Sequence, residues 1–483
     1  MILLETNRPE YRNDIAEEIR LFFGQTEIVL AGEENGGQPE LSISVQLAAA
    51  PGCATATAKC SGAMQSETIA FDAADHLTVK RIEKRAVKIA VFRLLQQLFP
   101  RVIPWGSLTG IRPTKLFREL TVQSGAEAAR DAFLRLYDVT PDKIRLAESI
   151  CEAQRDMIAS VGERDFDVYV NIPFCPTKCL YCSFPSQILG KEDALTPYLE
   201  KLFIDISEGA ALMRERGYRL RCMYVGGGTP TVLSTEQLDR LISTLKICYG
   251  SLGNEITVEA GRPDTITEDK LLVLREHGVQ RISINPQSMN DDTLCRIGRA
   301  HTADDVERAF SLARSIGFPV INMDLIAGLP GEHVDDFCGS LQRVQRLSPE
   351  NMTIHTLAIK RSSRLIERLD EYPLPTASDV EQMLSAGAET AQSLGMQPYY
   401  MYRQKYMSGN LENVGYAKQD SICMYNIDMM EETTNIMAHG ASAMSKRVFG
   451  YENRVERIPN PKDVKTYFDK LPTILLEKRA LFD

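Results

Sequence analysis

Tyr169-Val-Asn-Ile-Pro-Phe-Cys-Pro-Thr-Lys-Cys-Leu-Tyr-Cys-Ser-Phe184 decides how this 483-residue chain is read. An alternating apolar run that begins at Asp167 leads into a loop carrying Cys175, Cys179 and Cys182 in a C-x3-C-x2-C spacing. Iron–sulfur clusters take their ligands from cysteine thiolates, and four thiolates close the shell of an electron carrier. Three on one short loop can each reach a corner of a four-iron cube, which leaves the fourth iron open to a small molecule. Pro173 and Pro176 restrict the backbone of that loop. Zinc is the competing metal, but zinc loops usually pair two such clusters or add histidine, and the chain has no second C-x2-C. Most of the other cysteines (Cys53, Cys60, Cys151, Cys222, Cys248, Cys295, Cys338, Cys423) read as small core residues.

Outward from the loop, residues 166–402 alternate short apolar runs with longer amphipathic ones, the pattern of βα units on a parallel sheet. The expected strands are 167–171, 222–225, 255–259, 280–284, 319–325 and 352–357. Helices fit between them, for example 195–216 and 234–247, the latter with Ser234 as N-cap and Gln237 at the third helical position. Six such units predict an α/β fold with a partial (β/α)6 barrel of the TIM type over residues 161–400. An α+β accessory domain is expected over 1–160, and a small substrate-covering extension over 401–483.

The polar residues fall at the ends of these strands. The cysteine loop follows the first, Gly226-Gly-Gly-Thr-Pro230 the second, Glu259 ends the third, Gln287 follows the fourth and Asp324 lies near the end of the fifth. Parallel αβ barrels carry their sites on that face, so the five segments should meet at one mouth. Taken alone each has an ordinary reading. The glycines lack the spacing of a dinucleotide loop and the lysine of a P-loop, yet bare backbone beside a cluster can approach a ligand closely. Glu259 and Asp324 suit ribose hydroxyls or an ammonium group, and equally serve as plain strand-end carboxylates. Arg299 by itself reads as a solvated helix residue, and most of the six histidines as structural or surface groups.

Composition bounds the function classes. The chain is 44% hydrophobic, ample for real cores, and its net charge of −10 gives no pull toward nucleic acid or an anionic membrane. No run of 18 or more apolar residues occurs, and Glu5, Arg8 and Glu10 precede any signal-like apolar core. An odd count of cysteines fits a reducing compartment. The chain reads as soluble and cytoplasmic, with no membrane partner.

Cys175, Cys179 and Cys182, with Gly226-Gly-Gly-Thr-Pro-Thr231, Glu259, Asn285-Pro-Gln-Ser288, Arg299 and Met323-Asp-Leu-Ile-Ala-Gly-Leu-Pro330, resemble the radical S-adenosylmethionine (SAM) superfamily. Within it they are similar to the oxygen-independent coproporphyrinogen III dehydrogenase (oxidase) group, over roughly residues 165 to 400. The resemblance implies that the three cysteines ligate a [4Fe–4S] cluster and that SAM chelates its open iron. It implies that Gly226, Gly227, Gly228 and Thr229 hold the methionine end. Glu259, Gln287, Arg299 and Asp324 then contact SAM, Tyr181 meets the adenine through its backbone, and Tyr169 lies close to cluster and SAM as a catalytic aromatic. The implied chemistry is SAM cleavage to a 5′-deoxyadenosyl radical, which oxidises propionates of coproporphyrinogen III to vinyls. The implied partners are a tetrapyrrole and a low-potential electron donor of flavodoxin or ferredoxin type. Asn171 and Phe184 depart from the group, which often has histidine and cysteine there. Relatives of the group include haem-binding chaperones. The segments 398–407 and 410–416 look like the paralogous Gram-positive branch.

Tyr399 to Tyr406 set four tyrosines beside Arg403 and Lys405, a wall suited to a carboxylated tetrapyrrole. Small residues in 435–446 suggest close backbone packing. In the first domain, 41–47 alternates like a strand and 77–99 reads as a basic amphipathic helix. Its Lys80, Arg81, Lys84, Arg85, Lys88 and Arg93 are either solvated or face RNA or an acidic partner.

Overall fold

The computed structural model describes residues 1–33, 38–72, 75–190, 193–405, 407–450 and 454–483. It divides into two compact units, Met1–Glu148 with Gly409–Leu411 and Ser149–Ser408 with Glu412–Asp483.

In the first unit a five-stranded sheet runs in the order Ile28–Leu30, Ile2–Thr6, Leu41–Ala50, Cys53–Cys60, Ala63–Ala70. Alternation in Leu41–Ala50 puts Ile43, Val45 and Leu47 into a core shared with Ile15, Ile19, Phe92 and Leu95 of the helices. The basic helix forms as His76–Leu98. Half of its six cations are neutralised from inside the unit: Lys84 pairs with Asp14 at 2.8 Å, Lys88 with Glu18 at 3.3 Å, and Arg93 with Glu67 at 2.9 Å and Asp138 at 3.0 Å. Arg85 lies over the Tyr137 ring. Of the six expected at a free face, Lys80 and Arg81 are the ones that stand exposed, which removes the motive for an RNA-binding surface.

The second unit is built on one sheet. Its core strands are β1 (Asp165–Ile172), β2 (Arg219–Gly227), β3 (Glu255–Gly261), β4 (Arg281–Ile284), β5 (Val320–Ala327) and β6 (Asn351–Thr356). They lie side by side in sequence order, all parallel, with helices in the connections. These are the six expected strands, shifted by up to three residues at their ends. The helix after β2 starts at Thr235 with the expected Ser234–Gln237 capping box.

Strand period explains the inside of this barrel. Side chains alternate between faces, and one set is apolar and buried: Val168 and Val170 on β1, Met223 and Val225 on β2, Ile256 and Val258 on β3, Met352 and Ile354 on β6. That set packs under the helices. The other set is polar, with Tyr224, Thr257, Glu259, Ser283, Asp324, Thr353 and His355 lining an interior cavity. TIM barrels usually fill this space with branched apolar side chains. Polar inward positions here leave it open.

The C-terminal segment continues the same sheet at both edges. β7 (Gln397–Tyr402) and β8 (Asn413–Ala417) join antiparallel beyond β6. β9 (Asn435–His439) pairs parallel with β1, followed by β10 (Met444–Phe449) and β11 (Arg454–Pro459). The small residues at 435–446 do pack closely: a Cβ on Gly440 would meet Asn171 O at 2.7 Å and also the Tyr198 hydroxyl. The final helix, Val464–Phe482, is anchored by fully buried Asp205, which accepts from Lys478 Nζ at 2.5 Å, Tyr467 OH at 2.9 Å and His439 Nδ1 at 3.1 Å. Its carboxyl is held well below the usual range: burial opposes this, but Lys478 and His439 outweigh it.

Candidate functional site

The cysteine loop leaves the carboxyl end of β1 and is pinned on several sides. Phe174–Cys175 pairs in parallel with Gln187–Ile188. Thr177 Oγ1 donates to Gly298 O at 3.1 Å and accepts from Arg262 Nη1 at 2.7 Å, and Leu180 N donates to Ile297 O at 2.9 Å. The loop is thus fixed by the end of β3 and by the turn after the helix Asp291–Arg296. All three thiols are free and line one cavity of about 360 Å3, within the ~300–1,000 Å3 of small-molecule sites. Among the described residues, the group that brings three metal-binding atoms within 4.8 Å of one another is Asp167, Cys222 and Asp428. The three loop sulfurs do not form such a group, so at least one pair lies beyond 4.8 Å, wider than the ~3.8 Å between sulfurs on one tetrahedral zinc with 2.3 Å bonds. They suit corners of a cluster.

The glycine turn after β2 closes on the loop. Gly227 has φ +106°, and a Cβ on it would run into Asn171 Oδ1; one on Gly228 would lie 2.5 Å from Phe174 O. Both positions therefore require glycine. Thr229 Oγ1 donates to Cys175 Sγ at 3.5 Å. Gly226 is set behind the wall, where a Cβ would meet Glu259 Oε2 at 2.8 Å. It shapes the turn and takes no part in the lining.

Glu259 accepts from Tyr224 OH at 2.5 Å and Gly227 N at 3.3 Å. Burial, with Asp324 nearby, pushes its carboxyl up to about 7. Asp324 accepts from Asn322 Nδ2 at 2.8 Å and stands 3.6 Å from His355 Nε2. Burial would raise it too, but His355, Asn322 and Thr353 together hold it below the ordinary carboxylate range. Two carboxylates in one cavity are thus set apart by their neighbours. Gln287 adopts φ +69°, fixed by its N–H donating to Asp324 O and its carbonyl accepting from Ile326 N, both at 2.9 Å. A non-glycine residue held there marks a constrained site. Arg299 is buried and donates to Asn285 O at 2.6 Å and to Tyr181 OH at 3.4 Å.

Three buried polar atoms of this wall have no partner: Asn285 Oδ1, Gln287 Oε1 and Arg299 Nε. Such orphans cost ~1–3 kcal/mol each, a cost that a bound polar ligand relieves. Beside them the three thiols offer soft ligands. The site therefore fits a metal cluster with a polar small molecule against it.

The structure brings Cys175, Cys179, Cys182, Tyr181, Gly227, Gly228, Thr229, Glu259, Gln287, Arg299 and Asp324 to one cavity wall. Tyr169 does not line it. Its ring is stacked one layer back, 6.3 Å from Tyr224 and 6.0 Å from Tyr425, and its hydroxyl donates to Asn171 Oδ1 at 3.1 Å. Tyr399, Tyr400 and Tyr402 do form a wall; Arg403 is buried, and Tyr406 lies outside the described residues. Sequence reading missed Tyr224 and His355 and assigned no role to Asn285, although it lies in the Asn285–Ser288 motif. His355 is an exception to the surface or structural role expected for most histidines: it lines the cavity between Asp324 and Tyr402, whose hydroxyl is 3.2 Å from Nδ1. The signal was present, since Tyr224 and His355 share the inward register of Glu259 on strands already located.

A parallel six-stranded barrel with three thiols and a glycine turn at its mouth defines a radical SAM protein, and the radical SAM superfamily model matches residues 169–344. That fold implies a [4Fe–4S] cluster and SAM. The chain is 36% identical over 469 residues to the oxygen-independent coproporphyrinogen-III oxidase-like protein HemZ of Bacillus subtilis (strain 168), covering 95% of this chain and 93% of that one. The chain therefore belongs to this HemZ family of coproporphyrinogen oxidase-like radical SAM proteins. It is also 29% identical over 262 residues to the heme chaperone HemW of Escherichia coli (strain K12), 54% of this chain and 65% of that one. To the oxygen-independent coproporphyrinogen III oxidase of Salmonella typhimurium it is 27% identical over 343 residues, 69% and 72% of the two chains. The solved coproporphyrinogen III oxidase HemN from Escherichia coli shares the fold, with TM-score 0.53 and 24% identity over 67% of this chain and 72% of that one. No helix among the described residues is long and apolar enough to cross a membrane.

Proposed function

We propose that this protein is a radical SAM oxidoreductase that converts propionate side chains of coproporphyrinogen III to vinyl groups without oxygen. The observation that carries the reading is the pairing of three free thiols with orphaned Asn285, Gln287 and Arg299 atoms in one cavity. Cys175, Cys179 and Cys182 hold the cluster, and the backbone of Gly227 and Gly228 admits the amino-acid end of SAM. Together these groups supply one-electron reductive cleavage of SAM, which yields an organic radical able to take a hydrogen atom from substrate. Glu259 and Asp324 accept from ribose hydroxyls, and their different proton affinities let Glu259 carry a proton near neutral pH while Asp324 stays ionised. Arg299, locked by Asn285, orients the adenine side of the ligand and the Tyr181 ring. The barrel wall and its tyrosines exclude water from the reacting carbon.

A haem-carrying role is the second reading. It is favoured by the heme chaperone HemW relatives and by Phe184, which is 65% exposed at the end of the cysteine loop. Anaerobic reconstitution, reduction with SAM and addition of coproporphyrinogen III separates the two. Divinyl product together with 5′-deoxyadenosine supports the oxidoreductase; stoichiometric haem binding without vinyl product supports the carrier.

A further inference from the structure

Around the cavity mouth the charge is opposite to that of the chain. The net charge is −10, yet the segment after β6 carries Lys360, Arg361 and Arg364. This segment lies on the cysteine loop: Ser362 Oγ donates to Ser183 O at 3.3 Å and Leu365 N to Leu180 O at 3.0 Å. Ile359 and Leu365 turn inward to the cluster around Leu180 and Tyr181, which leaves the basic side chains on the outside. Arg361 and Arg364 are exposed and make no ion pair among the described residues. Lys360 Nζ donates to the carbonyl of Lys405 at 2.9 Å, and burial together with the Lys405 charge lowers its proton affinity. Acidic residues enter only later in the segment, where Glu371 pairs with Arg368. Phe184, 65% exposed and lining the cavity, follows Ser183, which accepts from Ser362 of this segment. Leu357 and Ala358, at the start of this segment, line the cavity of about 360 Å3.

We propose that Lys360, Arg361 and Arg364, with Phe184 beside them, form the seat for a polycarboxylate tetrapyrrole, the cations taking its carboxylates and the apolar side chain its ring face. The proposal rests on the function proposed above and names the residues that select its substrate class.

Binding is read with two fluorescent porphyrins, coproporphyrin III with four carboxylates and mesoporphyrin IX with two, titrated into the full-length reconstituted protein at several salt concentrations. The wild type should hold coproporphyrin more tightly, with the stronger salt dependence. The variant K360Q/R361Q/R364Q should bind coproporphyrin about ten-fold more weakly, roughly two-fold per rim contact, and lose most of its preference over mesoporphyrin. A charge-matched control, K246Q/R346Q/K465Q, should match the wild type, and equal loss in both variants overturns the seat. Unchanged coproporphyrin binding in the rim variant also overturns it. If the rim variant instead slows cluster reduction by an acidic electron-carrier protein, the rim belongs to that partner. A wild type that binds neither porphyrin sinks the tetrapyrrole reading itself and the seat with it.

Discussion

The two ends of the barrel are equally polar and differ in one respect. At the amino end of the strands every carboxylate oxygen has a donor. Asp167 accepts from Cys222 Sγ at 3.0 Å and Thr434 Oγ1 at 2.7 Å, Asp428 from Thr433 Oγ1 at 2.6 Å and Arg221 Nε at 2.7 Å, and Glu255 from Met424 N at 3.1 Å and Arg281 Nη2 at 3.0 Å. At the carboxyl end Asn285, Gln287 and Arg299 each keep a buried atom without a partner. The difference teaches that neither polarity nor unmet hydrogen-bonding capacity alone marks a site, since Arg281 Nε at the amino end is also buried without a partner. At the carboxyl end the unmet atoms stand with three free thiols in one cavity, and that combination does. For the same reason the Asp167–Cys222–Asp428 group is structure and not a metal centre, because Arg221 already supplies its positive charge and its oxygens are taken.

The sharpest way to break this contrast is to cut the floor. Arg221→Met strands Asp428 in a buried site and should destabilise the protein by about 3–5 kcal/mol in chemical denaturation, while SAM affinity of the folded fraction stays within two-fold of wild type. A large loss of SAM affinity there would erase the distinction between the ends. Gly227→Ala comes next: its positive φ and the approach of Asn171 should cost about 1–3 kcal/mol and also abolish measurable SAM binding by calorimetry. Gln287→Ala should behave in the opposite sense, leaving stability within about 0.5 kcal/mol, since it removes an orphan, and weakening SAM roughly ten-fold. Equal losses of stability and affinity would count against the orphaned atoms as ligand contacts.

The smallest effect is a pH dependence. Burial, with Asp428 adding to it, pushes the Asp167 carboxyl up to about 8, above the ~3.9 of an unfolded chain. The folded state then binds the extra proton, so the contribution of this group to stability is greatest below pH ~4 and is lost progressively up to about pH 8. Asp167→Asn should flatten the wild-type decline across that window; an unchanged slope would show that Asp167 is ionised in the folded protein.

Much of this arrangement was legible before any coordinates. Strands β1 to β6 announced themselves because period-two apolar runs depend only on neighbouring residues, and the convergence of Cys175, Glu259 and Asp324 followed from strand direction. The edges were not legible. β8 and β9 are five-residue runs whose pairing partners, β6 and β1, are fixed by long-range register. That Tyr169 lies outside the cavity lining has a related reason: its ring stacks on Tyr425, 256 positions further along the chain, counted from the two residue numbers. The basic helix of the first unit misled because carboxylates from separate elements neutralise it, which local charge counting does not reveal.

The central claim, that the mouth of the barrel is a cluster and SAM site, is tested most directly by anaerobic reconstitution of wild type and Cys179→Ala with iron and sulfide, followed by reduction with SAM. The wild type should take up close to four irons and release 5′-deoxyadenosine and methionine, and Cys179→Ala should do neither while remaining folded. A Cys179→Ala protein that retains the cluster and cleaves SAM, or a wild type that takes up a single zinc instead, would contradict the account.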